Sequence, residues 1–177
     1  DNMLVKISVR NLIEFVMRSG DIDNRFRDNA RMIEGIKAHQ KIQSSYGKNY
    51  KKEYSLKNTT IIDDVEFKVE GRADGLIKDG SIYTIDEIKS TSRNLDEIDD
   101  SNKLHWAQAM CYAYFYCLDK NLDSIFITLT YVNIEDYTSK IFKKEFDFEY
   151  LKTFYYDLLK SYLNFSKILA NNKIKRD

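Results

Sequence analysis

Two neighbouring stretches of the chain hold acids and a lysine at a spacing that suits metal-assisted chemistry on a phosphate ester. One runs from Val69 to Ile77 and contains Gly71, Arg72, Asp74 and Gly75; the other runs from Tyr83 to Thr91 and contains Asp86, Glu87, Ile88 and Lys89. Residues two apart on a strand share a face, so Glu87 and Lys89 project together while Asp86 and Ile88 point away. Asp74, late in the preceding strand, can face them across the hairpin. Asp74 and Glu87 then offer hard oxygen ligands to Mg²⁺ or Mn²⁺, and a peptide carbonyl near Ile88 offers a third. A lysine beside the ion can position or deprotonate a water and stabilise charge on the pentacovalent phosphate. The plain alternative is a solvent-facing cross-strand ion pair, because Glu-x-Lys recurs by chance where 32% of residues are charged. The hairpin and the flanking Gly71 and Gly75, which allow close backbone approach, favour the site.

Two further clusters bear on this site. His39 lies on one helical stripe with Met32, Ile36 and Tyr46, with Gly35 one turn earlier, so a polar ring is aimed into apolar surroundings. Such a histidine needs a partner: a hydrogen bond in the core, or a metal. His105, Gln108 and Tyr112 fall at i, i+3 and i+7 of another helix and share a face. Tyr112 and Trp106 read equally as core aromatics; in the functional reading Gln108 and Tyr112 orient the lysine, the water or the phosphate.

The elements that must position these residues follow from hydrophobic period. Val9, Leu12, Ile13 and Val16 predict a short helix over Ser8 to Met17, and Phe26, Ala30, Ile33, Ile36 and Ile42 a longer one from Asn24 to Tyr46. Between Tyr50 and Ser90 the period shortens into an antiparallel meander, with Asp79-Gly80 as its clearest turn. A helix from about Asp99 to Leu118, strands at Ile125 to Val132 and Lys140 to Phe146, and a helix from Phe148 to Ala170 complete the order ααβββαββα. A mixed sheet with helices on its faces buries these stripes, giving an α/β or α+β fold.

Length and charge limit the rest. At 177 residues, 43% hydrophobic, the chain supports one core and is read as a single domain, 1–177. Its 28 basic and 28 acidic side chains cancel, so a polyanion must be gripped locally or through a metal rather than by a global field. Cys111 and Cys117, six apart in a helix, point to different faces and do not form a disulfide with one another. No run reaches the roughly 18 apolar residues of a membrane span and no secretion signal is seen, so the expected location is cytoplasmic and membrane-free. An opening without Met and a polar, basic end at 171–177 suggest a domain cut from a longer polypeptide.

Taken in order, Gly35-x-x-x-His39, Gly71-Arg-Ala-Asp74, Asp86-Glu-Ile-Lys89 and His105-x-x-Gln108-x-x-x-Tyr112 resemble the motif set of RecB-type exonucleases in the PD-(D/E)XK nuclease superfamily. The resemblance covers about two-thirds of the chain. It implies a restriction-endonuclease-like mixed central sheet flanked by helices, and a metal at His39, Asp74 and Glu87. It also implies catalysis by Lys89 with support from Gln108 and Tyr112. The substrate would be DNA, as single-stranded ends in repair or recombination, with Arg25, Arg31, Lys51, Lys52, Arg72 and His105 touching it. Some members clamp the fold with a four-cysteine iron–sulfur cluster, which two cysteines cannot supply, so none is expected. The opening from Ile7 to Phe15 and the run Arg18 to Asp23 also resemble the nuclease domain joined to DinG/XPD-type helicases, implying a covalently linked motor.

Two other readings compete. One is a DNA-binding module without catalysis, using Arg25, Arg27, Arg31, Lys48, Lys51 and Lys52 on phosphates. The other is an interaction domain that docks a partner through the stripe of Tyr150, Phe154, Tyr155, Leu158, Leu159, Tyr162, Leu163 and Phe165.

Overall fold

The computed structural model describes residues 3–17 and 29–176, with the side chains of 29–31 and 171–176 outside the description. The elements are β1 (Met3–Ser8), α1 (Val9–Met17), α2 (Asn29–Ser44), β2 (Tyr50–Ile62), β3 (Val65–Asp79) and β4 (Ile82–Thr91). After a 3-10 turn (Leu95–Glu97) come α3 (Lys103–Lys120), β5 (Ser124–Asn133), β6 (Ser139–Asp147) and α4 (Phe148–Arg176).

The long strand β3 organises the sheet. One edge carries β2, antiparallel, from Tyr50 opposite Ile77 to Ile62 opposite Val65. The other edge is shared end to end: β1 runs parallel to Val65–Glu70, and β4 runs antiparallel to Gly75–Asp79. Residues 71–74 are left unpaired on that edge, between the two partners. Beyond β4 the sheet continues with β5, parallel, and β6, antiparallel. The result is a mixed sheet with α1, α3 and α4 over one face and α2 over the other, as the core clusters show.

Helix α3 is the centre of the larger core. Asn102 caps it by accepting from the His105 N–H, and Asn121 closes it in the left-handed conformation. Every residue from Ala109 to Cys117 is buried, so both cysteines are core thiols. In α4, Leu151, Tyr155, Leu158, Leu159 and Leu163 are buried against this core, which accounts for most of the closing stripe without a partner; Tyr150 stays outside at 58% exposure.

Side-chain alternation breaks at one level of the sheet. Tyr50 and Tyr54 are an even number apart yet go to opposite faces: Tyr54 packs on Tyr116 of α3, while Tyr50 bonds Asp86 on the α2 side. Ala73 and Leu76, an odd number apart, both enter the large core. The switch falls at Glu53 and Asp74, and Glu53 has a φ of 54°.

Several elements differ from the sequence reading. The predicted order lacked β1, because six residues with Lys6 in their midst show little pattern until they pair with β3. Strand β2 runs unbroken from Tyr50 to Ile62, through Asn58. Helix α3 starts at Lys103 rather than near Asp99, where the Asp99 side chain instead accepts from the Ser101 N–H in a local turn. On α2 the apolar stripe is not the buried one: Met32 and Ile36 are 51% and 52% exposed, and the sheet is met by Gly35, Ala38 and Gln43.

Candidate active site

Asp74 sits where β3 has lost its neighbour. Pairing between β3 and β4 ends at Gly75 opposite Asp86, and from there β4 diverges. The Ile88 N–H, beyond the end of the β3–β4 ladder, donates to Asp74 Oδ2 at 2.6 Å. Burial raises the Asp74 carboxyl above its usual range, opposed by this bond and by the charges of His39 and Lys89.

Glu87 is one residue outward on β4, opposite Asp74. It is only 6% exposed, and its Oε2 is buried without a hydrogen-bond partner among the described residues. Burial pushes its carboxyl up to about 8; the Lys89 ammonium pulls down and the Asp74 charge pushes up further. Lys89 Nζ lies 3.4 Å from Glu87 Oε1 and donates to Gln108 Oε1 at 2.6 Å. The strand spacing thus brings Glu87 and Lys89 to one face, and α3 supplies Gln108 above them.

Tyr112, one helical turn beyond Gln108, is buried, and burial together with the Glu87 charge raises its hydroxyl. A Cβ at Gly71 would lie 2.8 Å from Tyr112 Oη, so the glycine is what lets the ring settle on β3. From the other face His39 Nδ1 stands 4.0 Å from Asp74 Oδ1, and burial lowers the imidazole below its usual range. Gly35 has the same role on α2, since a Cβ there would come within 2.6 Å of Ser90 Oγ.

His105 is half-buried and hydrogen-bonded through Nδ1 to the Tyr131 hydroxyl at 2.9 Å. Burial, with the Lys89 charge, lowers it to about 3, so it is a neutral polar group at working pH. It lines a cavity of about 430 Å³ that runs from Lys89 past Arg93, Ser101 and Asn102 to Tyr131. Lys51, Lys52 and Arg72 are exposed on β2 and β3, with Lys52 paired to Gly75 beside Asp74. Arg25 and the side chain of Arg31 lie outside the described residues.

Four neighbours of the site escaped the sequence reading. Gln43, one turn after His39, is buried and donates through Nε2 to both the Asp74 carbonyl at 3.0 Å and Glu53 Oε1 at 3.1 Å. Its i+4 spacing from His39 was the available signal. Arg10, at the start of α1, acts as a positive charge on both His39 and Tyr112. Tyr131 holds His105, and no local pattern marks it. Glu53 belongs to the same group.

Among the described residues no three His, Cys, Asp or Glu side chains converge as a ready-made metal cage. Two adjoining carboxylates, one with an unpartnered buried oxygen, fit a hard divalent cation that takes its remaining ligands from peptide oxygen and water. No helix among the described residues is long and apolar enough to cross a membrane.

No family model and no curated protein matches the sequence. Among solved structures, SSO0001 superposes with a TM-score of 0.56 at 16% identity, over 88% of this chain and 75% of that one. An alkaline exonuclease, LHK-Exo from Laribacter hongkongensis, superposes with a TM-score of 0.54 at 13% identity, over 97% and 93%. The same exonuclease in complex with dAMP gives 0.53 at 14% identity, over 97% and 95%. What this chain shares with them is the fold, a restriction-endonuclease-like mixed sheet flanked by helices, spanned over nearly its whole length.

Proposed function

We propose that the chain is a divalent-metal-dependent DNA nuclease of the RecB type, an exonuclease that hydrolyses phosphodiester bonds at single-stranded ends in repair or recombination. The carrying observation is Glu87: a buried carboxyl beside Asp74, with one oxygen 3.4 Å from Lys89 Nζ and the other reached by no N–H or O–H donor among the described residues. Two buried carboxylates side by side repel, and a divalent cation relieves that repulsion while Lys89 alone supplies only one positive charge. Asp74, Glu87 and the Ile88 carbonyl would hold Mg²⁺ or Mn²⁺, with His39 on the flank. When bound, the ion supplies Lewis acidity to a phosphoryl oxygen and acidifies a water.

The chain's own groups do the rest. Gln108 fixes Lys89 Nζ, so the ammonium is presented at a constant place to a water or a phosphate oxygen. Tyr112 closes the site against β3. The cavity beyond Lys89 is of a size for one nucleotide rather than a duplex, and the neutral His105 and Asn102 line it with hydrogen-bonding groups. The exonuclease with which this chain shares its fold has been captured with dAMP, in keeping with a nucleotide-sized subsite. Lys51, Lys52 and Arg72, exposed on β2 and β3, would meet the phosphates of the approaching strand.

The test is cleavage of end-labelled single- and double-stranded DNA in Mg²⁺, Mn²⁺ or EDTA, with Lys89→Ala alongside. Metal-dependent shortening of the single strand that is lost in the variant is expected. Binding without cleavage in either metal would replace this reading by that of a silent DNA-binding module.

A further inference from the structure

The least ordinary backbone in the sheet belongs to Glu53. Lys52 pairs with Gly75 and Tyr54 with Ala73, so Glu53 stands directly across from Asp74, yet these two form no ladder pair. Glu53 instead holds a φ of 54°, a left-handed conformation that a long side chain in mid-strand does not choose by itself. On the far side of Asp74 the next residue after the Gly75–Asp86 pair is Glu87. Three acids from three adjacent strands therefore stand in one row across the sheet: Glu53, Asp74 and Glu87. Like charges directly opposite one another destabilise a sheet. Two members of the row are nonetheless tied together, because the buried Gln43 Nε2 donates both to Glu53 Oε1 and to the Asp74 carbonyl.

We propose that Glu53 is a positioning residue of the cation site, a third negative charge that is turned toward Asp74 and strengthens the hold on a divalent ion without ligating it. The inference rests on the metal-nuclease reading above and extends it to a residue outside the motif set. An indirect role agrees with the absence, among the described residues, of three side chains arranged to grip one ion. The unpartnered Glu87 Oε2, on a side chain more than nine-tenths buried, marks where that ion is needed. The competing explanation is mechanical: Gln43 ties α2 to β2 and β3, and any acceptor at position 53 would serve.

The two explanations separate in Glu53→Gln, whose amide oxygen still accepts from Gln43 while the charge is gone. Mn²⁺ binding to the whole chain is measured by titration calorimetry, with melting temperature in EDTA as the check on folding, for the wild type, Glu53→Gln, Glu53→Ala and Asp74→Asn. We expect Glu53→Gln to weaken Mn²⁺ binding on the order of tenfold while its metal-free melting temperature stays at or above that of the wild type. Glu53→Gln binding Mn²⁺ as the wild type does, with Glu53→Ala less stable, would make the bridge purely mechanical and overturn the proposal. A wild type that binds no Mn²⁺, or an Asp74→Asn that binds it unchanged, would instead overturn the metal reading itself.

Discussion

The carboxylate of Asp74 completes the sheet with its side chain: Oδ2 accepts the Ile88 N–H at 2.6 Å where the β3–β4 ladder has already ended. One residue thus supports the backbone of the strand that carries Glu87 and Lys89 and presents an acid to the same place. Support and chemistry can be separated by substitution.

Asp74→Asn keeps an oxygen for the Ile88 N–H and removes the charge. We expect DNA cleavage to fall to background with the melting temperature nearly unchanged. Asp74→Ala leaves a part-buried N–H unpaired, which costs about 1–3 kcal/mol, or roughly 2–12 °C at this chain length. Cleavage by Asp74→Asn within threefold of the wild type would remove Asp74 from the catalytic set.

Gln108 has no charge; it acts through Lys89, whose Nζ donates to Gln108 Oε1 at 2.6 Å. In Gln108→Ala the ammonium gains freedom to swing toward solvent, and positioning losses of this kind are worth roughly ten- to a hundredfold in rate. The loss is expected in kcat, with KM for DNA and Mn²⁺ affinity near wild type. A change in KM alone would place Gln108 in substrate binding instead.

Much of this arrangement is legible in the sequence alone. Two-residue spacing placed Glu87 with Lys89, helical spacing placed Gln108 with Tyr112, and both relations depend only on local geometry. What could not be read depends on contacts between distant segments. Strand β1 exists because β3 offers it half an edge, and the α2 stripe fails because the sheet surface under the helix is met by Gly35 and Ala38 rather than by Met32 and Ile36. Glu53 looked like one more charge in Lys51-Lys-Glu-Tyr54; only the register across to Asp74 and a positive φ distinguish it.

The buried acids should make the metal-free protein sensitive to alkali. The folded-state carboxyl of Glu87 is raised to about 8, so between its unfolded value and that figure the native state binds the extra proton and stability falls as pH rises. Asp74 and Asp86, also raised by burial, act in the same direction. His105 is lowered to about 3, so it acts oppositely, but only below its unfolded pKa near 6.5. The falling slope should therefore be clearest between about pH 6.5 and 8, where Glu87 accounts for roughly a few kcal/mol at most. Melting temperatures in EDTA should drop across this window, recover on addition of Mn²⁺, and flatten in Glu87→Gln. An unchanged slope in Glu87→Gln would assign the titration to another group.

Asp86 lies next to Glu87 in sequence but on the opposite face, and its part should be structural. Its Oδ2 accepts from the Tyr50 hydroxyl at 2.8 Å, and its Oδ1 from Thr128 and Thr130 at 2.8 and 2.6 Å. Three hydroxyls from β2 and β5 thereby converge on one 1%-exposed carboxylate of β4. Gly75 makes room for the arrangement, since a Cβ there would fall 2.0 Å from Tyr50 Oη. Removing the acceptor strands all three donors, so Asp86→Ala should cost about 3–5 kcal/mol, and Tyr50→Phe about 1–2 kcal/mol. Below their melting transitions both variants should bind Mn²⁺ with wild-type affinity, because the hydroxyl network faces away from Lys89. Loss of Mn²⁺ binding in a fully folded Tyr50→Phe would show that the two faces of β4 are coupled, and that the network sets the height at which Glu87 is presented.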